Sequence, residues 1–257
     1  MAETPEPVTT PAAAEAGDAG GVAAVIPAKD EADRISATVA AVTGIPGIDL
    51  VVVVDDGSRD DTSDLAREAG AHVVRHARNR GKAAAMATGA GFVARHEAVE
   101  GRGGGSDDRR PLLFVDGDLE DSAANLGVLV TPVTQGRADM TIATLPPQRT
   151  GGGGHGLVVR LARKGIEGLT GFSAVQPLSG MRCLTREAFD AASPLARGWG
   201  VEVGLTVDVL RAGLRVEEVP CELHHRVTGA DWRGQVHRAR QYRDVWLALA
   251  RRGARAS

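Results

Sequence analysis

Aromatic residues make up only 3% of the 257 residues, so the core has to be assembled from Val, Leu, Ile and Ala. The same scarcity argues against a nucleic-acid surface built on base stacking. Cysteine is nearly absent. Cys183 and Cys221 sit in apolar, strand-like contexts and read as reduced, buried thiols rather than a disulfide framework. No apolar run approaches the roughly 18 residues of a membrane span. Residues 1–20 carry Glu3, Glu6, Glu15 and Asp18 without a Lys or Arg, which excludes the basic start of a signal peptide. No P-loop and no internal repeat are found. The expectation is a cytoplasmic chain, soluble or at most peripheral to a membrane, with residues 1–20 forming a disordered acidic tail.

What is present is an alternation. With 43% apolar residues and a formal net charge of -3, the chain can bury one large α/β core. Strands are expected at 22–26, 50–54, 72–75, 112–115, 138–143, near 178–184 and at 215–219. Helices are expected at 35–42, from an Asp60-Asp61-Thr62 cap to about Ala69, at 82–95, near 123–134, at 157–169 and at 201–212. Strands alternating with helices predict a doubly wound, mostly parallel sheet with its ligand site at the C-terminal strand edge. Residues 226–257 carry eight Arg against Asp231 and Asp244. There Val236, Ala239, Tyr242, Trp246 and Leu249 recur at helical spacing. This basic helix is expected to dock on the domain or on a second copy in a homodimer, with contact to an anionic membrane as the alternative.

Four polar segments fall at the ends of expected strands. The run Leu112-Leu113-Phe114-Val115 ends in Asp116-Gly117-Asp118, delivering carboxylates that suit a hard divalent cation such as Mg²⁺. Asp55-Asp56-Gly57-Ser58 closes the Val strand, and Pro27-Ala28-Lys29-Asp30-Glu31 closes the first one. Arg80-Gly81-Lys82 puts a cation at a helix start, where backbone N–H groups already favour phosphate. Together these offer polar groups for a nucleoside, a cation for a diphosphate and carboxylates for a bridging metal. Gly151-x-Gly153-x-x-Gly156 satisfies a dinucleotide pattern, but no strand precedes it.

These motifs, in this order, resemble the GT-A glycosyltransferases that use nucleotide sugars. Thr150-Gly151-Gly152-Gly153-Gly154, Gln176-Pro177-Leu178-Ser179-Gly180 and Gly198-Trp199-Gly200-Val201-Glu202 are similar to segments of the glucosyl-3-phosphoglycerate synthases. The resemblance covers about residues 22–245. It implies a GT-A (Rossmann-like) fold over 21–225 with a C-terminal acceptor-side extension at 226–257. It further implies a retaining hexosyltransferase that uses Mg²⁺ or Mn²⁺ and a nucleoside-diphosphate sugar, UDP-glucose being favoured. Pro27, Ala28, Glu31, Asp55, Asp56, Gly57 and Ser58 would hold the nucleoside, and Lys82 would contact the nucleotide. Asp118 and His225 would ligate the metal, with Asp116 and Gly117 beside the ribose and metal. Glu202 would sit near the sugar, and Leu178 would place its backbone at the reacting centre.

Read without the resemblance, Glu202 is an ordinary N-terminal helix carboxylate and His224-His225 a solvent-facing pair. The acceptor half departs from the family pattern. His155 and Leu157 stand where the family has Arg-x-Thr, and Leu223 replaces a further Arg. Arg149, Arg160 and Arg226 are the remaining cations for a phosphorylated acceptor. Arg226-Val227-Thr228-Gly229 is also similar to a segment of polyprenyl-phosphate sugar transferases. If the chemistry is inverting, Glu202 or Asp121 is the candidate base. A protein that binds nucleotide sugar without transferring it is the other alternative.

Overall fold

The structure is a computed structural model. It describes residues 21–102, 108–145, 155–223 and 232–254, without the side chains of 155 and 232–238. Residues 1–20, Arg149, the Gly-rich segment at 151–154, His224, His225 and Arg226, for which the sequence sets expectations, lie outside the described residues.

β1 (Val22–Ala28), β2 (Ile48–Asp55), β3 (His72–Arg75), β4 (Leu112–Phe114), β5 (Met140–Thr144), β6 (Arg182–Leu184) and β7 (Val216–Pro220) form one sheet in the order β3-β2-β1-β4-β6-β5-β7. Every neighbouring pair is parallel except those made by β6, which runs antiparallel to both β4 and β5. β1 alternates faces with the period of a pleated strand. Ala24 and Ile26 pack with α1 (Ile35–Thr43), α2 (Thr62–Glu68) and α4 (Gly127–Thr134) on one side. Ala23 and Val25 pack with α3 (Lys82–Val99), α6 (Arg186–Ala191) and α7 (Val201–Arg211) on the other. Helices therefore cover both faces, as the alternation predicts. A third apolar cluster ties α7 to α5 (His155–Thr170) and to α8 (Trp232–Gly253) through Ile166, Val203, Val207, Val245 and Leu249. α8 thus docks on the domain through Val245 and Leu249, but of the stripe expected from the sequence only Leu249 takes part: Ala239 is exposed and the side chain of Val236 lies outside the described residues. Tyr242 and Trp246 stay exposed.

Several expectations need correction. The segment at 120–126 is a 3-10 helix leading into α4, not one α-helix from 123. Strand β6 begins at Arg182, because residues 176–180 turn instead of pairing. Helix α6 was not expected. Asp61 stands at the N-cap of α2 without a side-chain hydrogen bond, while Asp60 accepts the Ala32 and Thr62 N–H groups, tying the β1 exit to the β2 exit. Cys183 and Cys221 are buried, free thiols. Burial pushes the Cys183 thiol up to about 12 and the Cys221 thiol up to about 11. Among the described residues no helix is long and apolar enough to cross a membrane.

Candidate active site

The β1–β4 register pairs Val25 with Phe114, so the acidic turn after β4 emerges beside Pro27 and Ala28. Asp116 and Asp118 are half-buried and Gly117 is buried between them. Thr38 of α1 holds this turn: its hydroxyl donates to the Gly117 carbonyl at 3.1 Å and accepts the Glu120 N–H at 2.9 Å. Lys82, the first residue of α3, puts its ammonium 2.7 Å from Asp116 Oδ1 and 3.4 Å from Oε1 of Glu202, which is buried in the first turn of α7. Burial works against the charged Lys82. The nearby Asp116 carboxylate, then Glu202, outweigh it and hold the ammonium pKa above the ordinary lysine value.

The β2 exit is built by its own side chains. Asp55 is fully buried and accepts the Ser58 N–H at 2.8 Å and the Ser63 hydroxyl. Burial raises its pKa, but these hydrogen bonds, with Arg75 nearby, prevail and leave it below the usual carboxylate range. Asp56 accepts the backbone N–H groups of Arg80 and Gly81 at 2.8 and 2.7 Å. The same carboxylate lies 2.7 Å from Nδ1 of buried His76, whose Nε2 faces Thr88 Oγ1 at 2.9 Å. Asp56 and His76 therefore set the turn that aims Lys82. Gly57 adopts φ +77°, and a Cβ there would lie 2.7 Å from the Arg78 carbonyl carbon, so only glycine fits. Ser58 accepts the Asp30 N–H at 2.9 Å and joins the two strand exits.

Two cavities open here. One, of ≈ 410 Å³, is lined by Pro27, Ala28, Glu31, Lys82, Asp118 and Trp199 among others, Asp56, Asp116 and Gly117 included. The other, of ≈ 640 Å³, is lined by Gly57, Ser58, Arg59, Arg75 and His76 and shares Lys29 and Asn79 with the first. Asp55 lines neither, and its side chain shapes the turn. Half-buried Glu31 has its pKa raised by burial against the hydrogen bond from Arg34. Asp118 has no hydrogen bond or ion pair among the described residues. A carboxylate with no hydrogen-bonded partner, on a cavity that also presents Glu31 and Asp116, fits a hard cation, although no cluster of three or more His, Cys, Asp or Glu forms among the described residues.

The turn Gln176–Gly180 packs behind Lys82 and Asp116. A Cβ on Gly180 would lie 2.3 Å from Lys82 Nζ and 3.0 Å from Asp116 Oδ2. Leu178 is half-buried and packs toward α5, α7 and α8. Fully buried Arg182 braces the turn, donating from Nε to the Ser179 carbonyl at 2.9 Å and from Nη1 to Thr206 Oγ1 at 2.8 Å. Thr206 in turn donates to the Glu202 carbonyl at 3.0 Å. Thr38, His76 and Arg182 were not singled out by sequence. Trp199 was, inside its Gly-Trp-Gly segment, but without a role.

A mostly parallel, doubly wound sheet with an acidic turn, a lysine at a helix start and a cavity between them defines a glycosyltransferase of the GT-A fold. The family model of glycosyl transferase family 2 matches residues 23–189, and the chain belongs to that family. It is 31% identical over 193 residues to the glycosyltransferase AglJ of Haloferax volcanii, a match covering 72% of this chain and 57% of that protein. It is also 31% identical over 226 residues to the glucosyl-3-phosphoglycerate synthase of Mycolicibacterium paratuberculosis, covering 81% of this chain and 66% of the relative. The chain thus spans less than two thirds of these relatives' lengths. The glucosyl-3-phosphoglycerate synthase of Mycobacterium tuberculosis, solved with Mn²⁺, UDP and glucosyl-3-phosphoglycerate, superposes with a TM-score of 0.69 at 26% identity, over 90% of this chain and 79% of that one. The same enzyme solved with Mg²⁺ and UDP gives the same score.

Proposed function

We propose that this chain transfers a hexose, glucose in the favoured reading, from UDP-glucose to a small phosphorylated acceptor, with retention at the anomeric carbon. The observation that carries the reading is the Lys82 ammonium held between Asp116 and Glu202 at a cavity whose rim presents the uncommitted Asp118. The similar synthase binds UDP and Mn²⁺ or Mg²⁺, and the oxygen donors here suit the same ions. Asp118, with His225 from the C-terminal segment, would hold the metal. When bound, the metal neutralises charge on the departing diphosphate.

This chain's own residues do the remaining work. Lys82 supplies a fixed positive charge to the donor phosphates without reorganisation. The backbone of Pro27, Ala28 and the Gly57–Ser58 turn walls the nucleoside. Glu202, buried at the N-terminus of α7, orients sugar and acceptor hydroxyls. In the retaining reading the acceptor hydroxyl attacks from the leaving-group face, so Glu202 positions sugar and acceptor and is not a nucleophile. The Leu178 segment, braced by Arg182, places backbone against the reacting face.

A second reading, transfer to a polyprenyl phosphate at a membrane surface, is favoured by Tyr242 and Trp246, exposed on basic α8. The test is nucleoside-diphosphate release with Mg²⁺, from UDP-glucose and GDP-glucose, each with 3-phosphoglycerate or a short polyprenyl phosphate. Release that depends on phosphoglycerate supports the main reading. Release that depends only on the lipid phosphate replaces it with the second, and release with neither removes both.

A further inference from the structure

A cavity of ≈ 550 Å³ lies outside the donor chemistry, between the loop at Pro194–Arg197 and α8. Helical spacing builds one wall. Arg243, Leu247 and Arg251 recur at i, i+4 and i+8, and Asp244, Ala248 and Arg252 form the next ridge. The facing loop contributes Arg197, so four guanidinium groups line one space with a single carboxylate.

Two of the four are already neutralised. Arg252 is buried against Asp208 and donates to the Ala248 carbonyl at 3.1 Å. Arg243 pairs with Asp244 at 2.9 Å. The guanidinium groups of Arg197 and Arg251 have no hydrogen-bond or carboxylate partner among the described residues. Both are exposed and they belong to opposite walls. The dipole of α8 accounts for arginines in its last turn, but not for Arg197 on the loop across from them. Two unpaired like charges on one cavity repel until an anion joins them, and arginine forks match phosphate oxygens. A phosphomonoester carries about −1.5 to −2 charge at neutral pH, which balances two guanidinium groups.

We propose that this cavity is an anion site that takes a phosphomonoester group between Arg197 and Arg251. The inference does not depend on the transferase reading. The site adjoins the donor cavity through one short turn. Trp199, two residues after Arg197, lines the donor cavity, and its N–H donates to Asp244 Oδ2 at 3.4 Å. The phosphomonoester could belong to a free metabolite or to a lipid headgroup.

The experiment is calorimetric titration of glycerol phosphate in metal-free buffer into wild type, R197A/R251A and K82M. Co-sedimentation with phosphatidylcholine vesicles, with and without phosphatidic acid, runs alongside. Both arginines are exposed, so R197A/R251A keeps the wild-type melting temperature, and folding does not confuse the result. The expected outcome is saturable binding weakened at least ~10-fold in R197A/R251A, the scale of a lost charge-assisted hydrogen bond, and unchanged in K82M. Loss in the arginine variant seen only with phosphatidic acid vesicles also upholds the site and assigns it to a headgroup. Seen only with glycerol phosphate, it upholds the site and assigns it to a free metabolite. No saturable binding of either probe, equal binding by the arginine variant, or loss confined to K82M overturns the proposal.

Discussion

The Thr38 hydroxyl donates to the Gly117 carbonyl at 3.1 Å across 79 residues of sequence, and so pins α1 to the acidic turn after β4. It also accepts the Glu120 N–H at 2.9 Å, at a residue with φ +50°. That positive φ lies in a region non-glycine residues seldom adopt.

Thr38→Val keeps the shape and removes both hydrogen bonds. Leaving the Gly117 carbonyl and Glu120 N–H unpaired is expected to destabilise the fold by about 1–3 kcal/mol, read from the urea midpoint. Turnover is expected to fall further than the unfolded fraction explains, because the turn carrying Asp116 and Asp118 loses its clamp. A variant with lowered stability but wild-type kcat would show that the clamp serves folding alone.

Gly180→Ala tests the wall behind Lys82. The added Cβ would lie 2.3 Å from Lys82 Nζ, so the ammonium has to leave Asp116. Gly180 has no positive φ among those observed, so the backbone itself tolerates alanine. The expected result is a near-native melting temperature with the UDP dissociation constant raised by about 10-fold or more, the scale of a lost charge-assisted contact. Unchanged UDP binding would mean that Lys82 does not meet the nucleotide.

How much of this was legible in the sequence depended on whether a signal is local. The Leu50–Val54 run and the alternating faces of β1 announce buried strands, and the polar residues at their exits fall where an α/β sheet puts a site. The antiparallel direction of β6 is invisible, because alternation reads the same both ways. Thr38 and His76 carry no local signal either: each acts on a partner brought close only by the fold, Gly117 for one and Asp56 for the other. Asp55 and Asp56 were legible as site residues by motif, yet the motif hides that Asp55 is spent inside its own turn. Arg182 looks like a surface residue by type. Its place between β4 and β5 turns it into a brace for the turn before it.

Asp55 also predicts a pH dependence. Its native pKa is held below the usual carboxylate range, where burial is outweighed by hydrogen bonds from Ser58 and Ser63. Its stabilisation is therefore complete above the unfolded value of about 3.9. It is lost as pH falls through the lower native value. Urea midpoints measured from neutral pH downward should hold until about pH 4 and then fall, given that unfolded value. Asp55→Asn should be less stable at neutral pH and show a shallower acid fall. An acid fall as steep as in wild type would assign the dependence to other carboxylates.

Asp118, proposed as the metal-holding carboxylate of a nucleotide-sugar transferase, can be tested on its own. The direct measurement is UDP release from UDP-glucose by wild type and Asp118→Asn, with Mg²⁺ or Mn²⁺ supplied and then removed by chelation. Turnover by wild type is expected to be abolished by chelation, and that of the variant to fall at least ~10²-fold, the scale of removing a key charge-stabilising group. Near-normal turnover by Asp118→Asn, or wild-type turnover indifferent to chelation, would contradict that role.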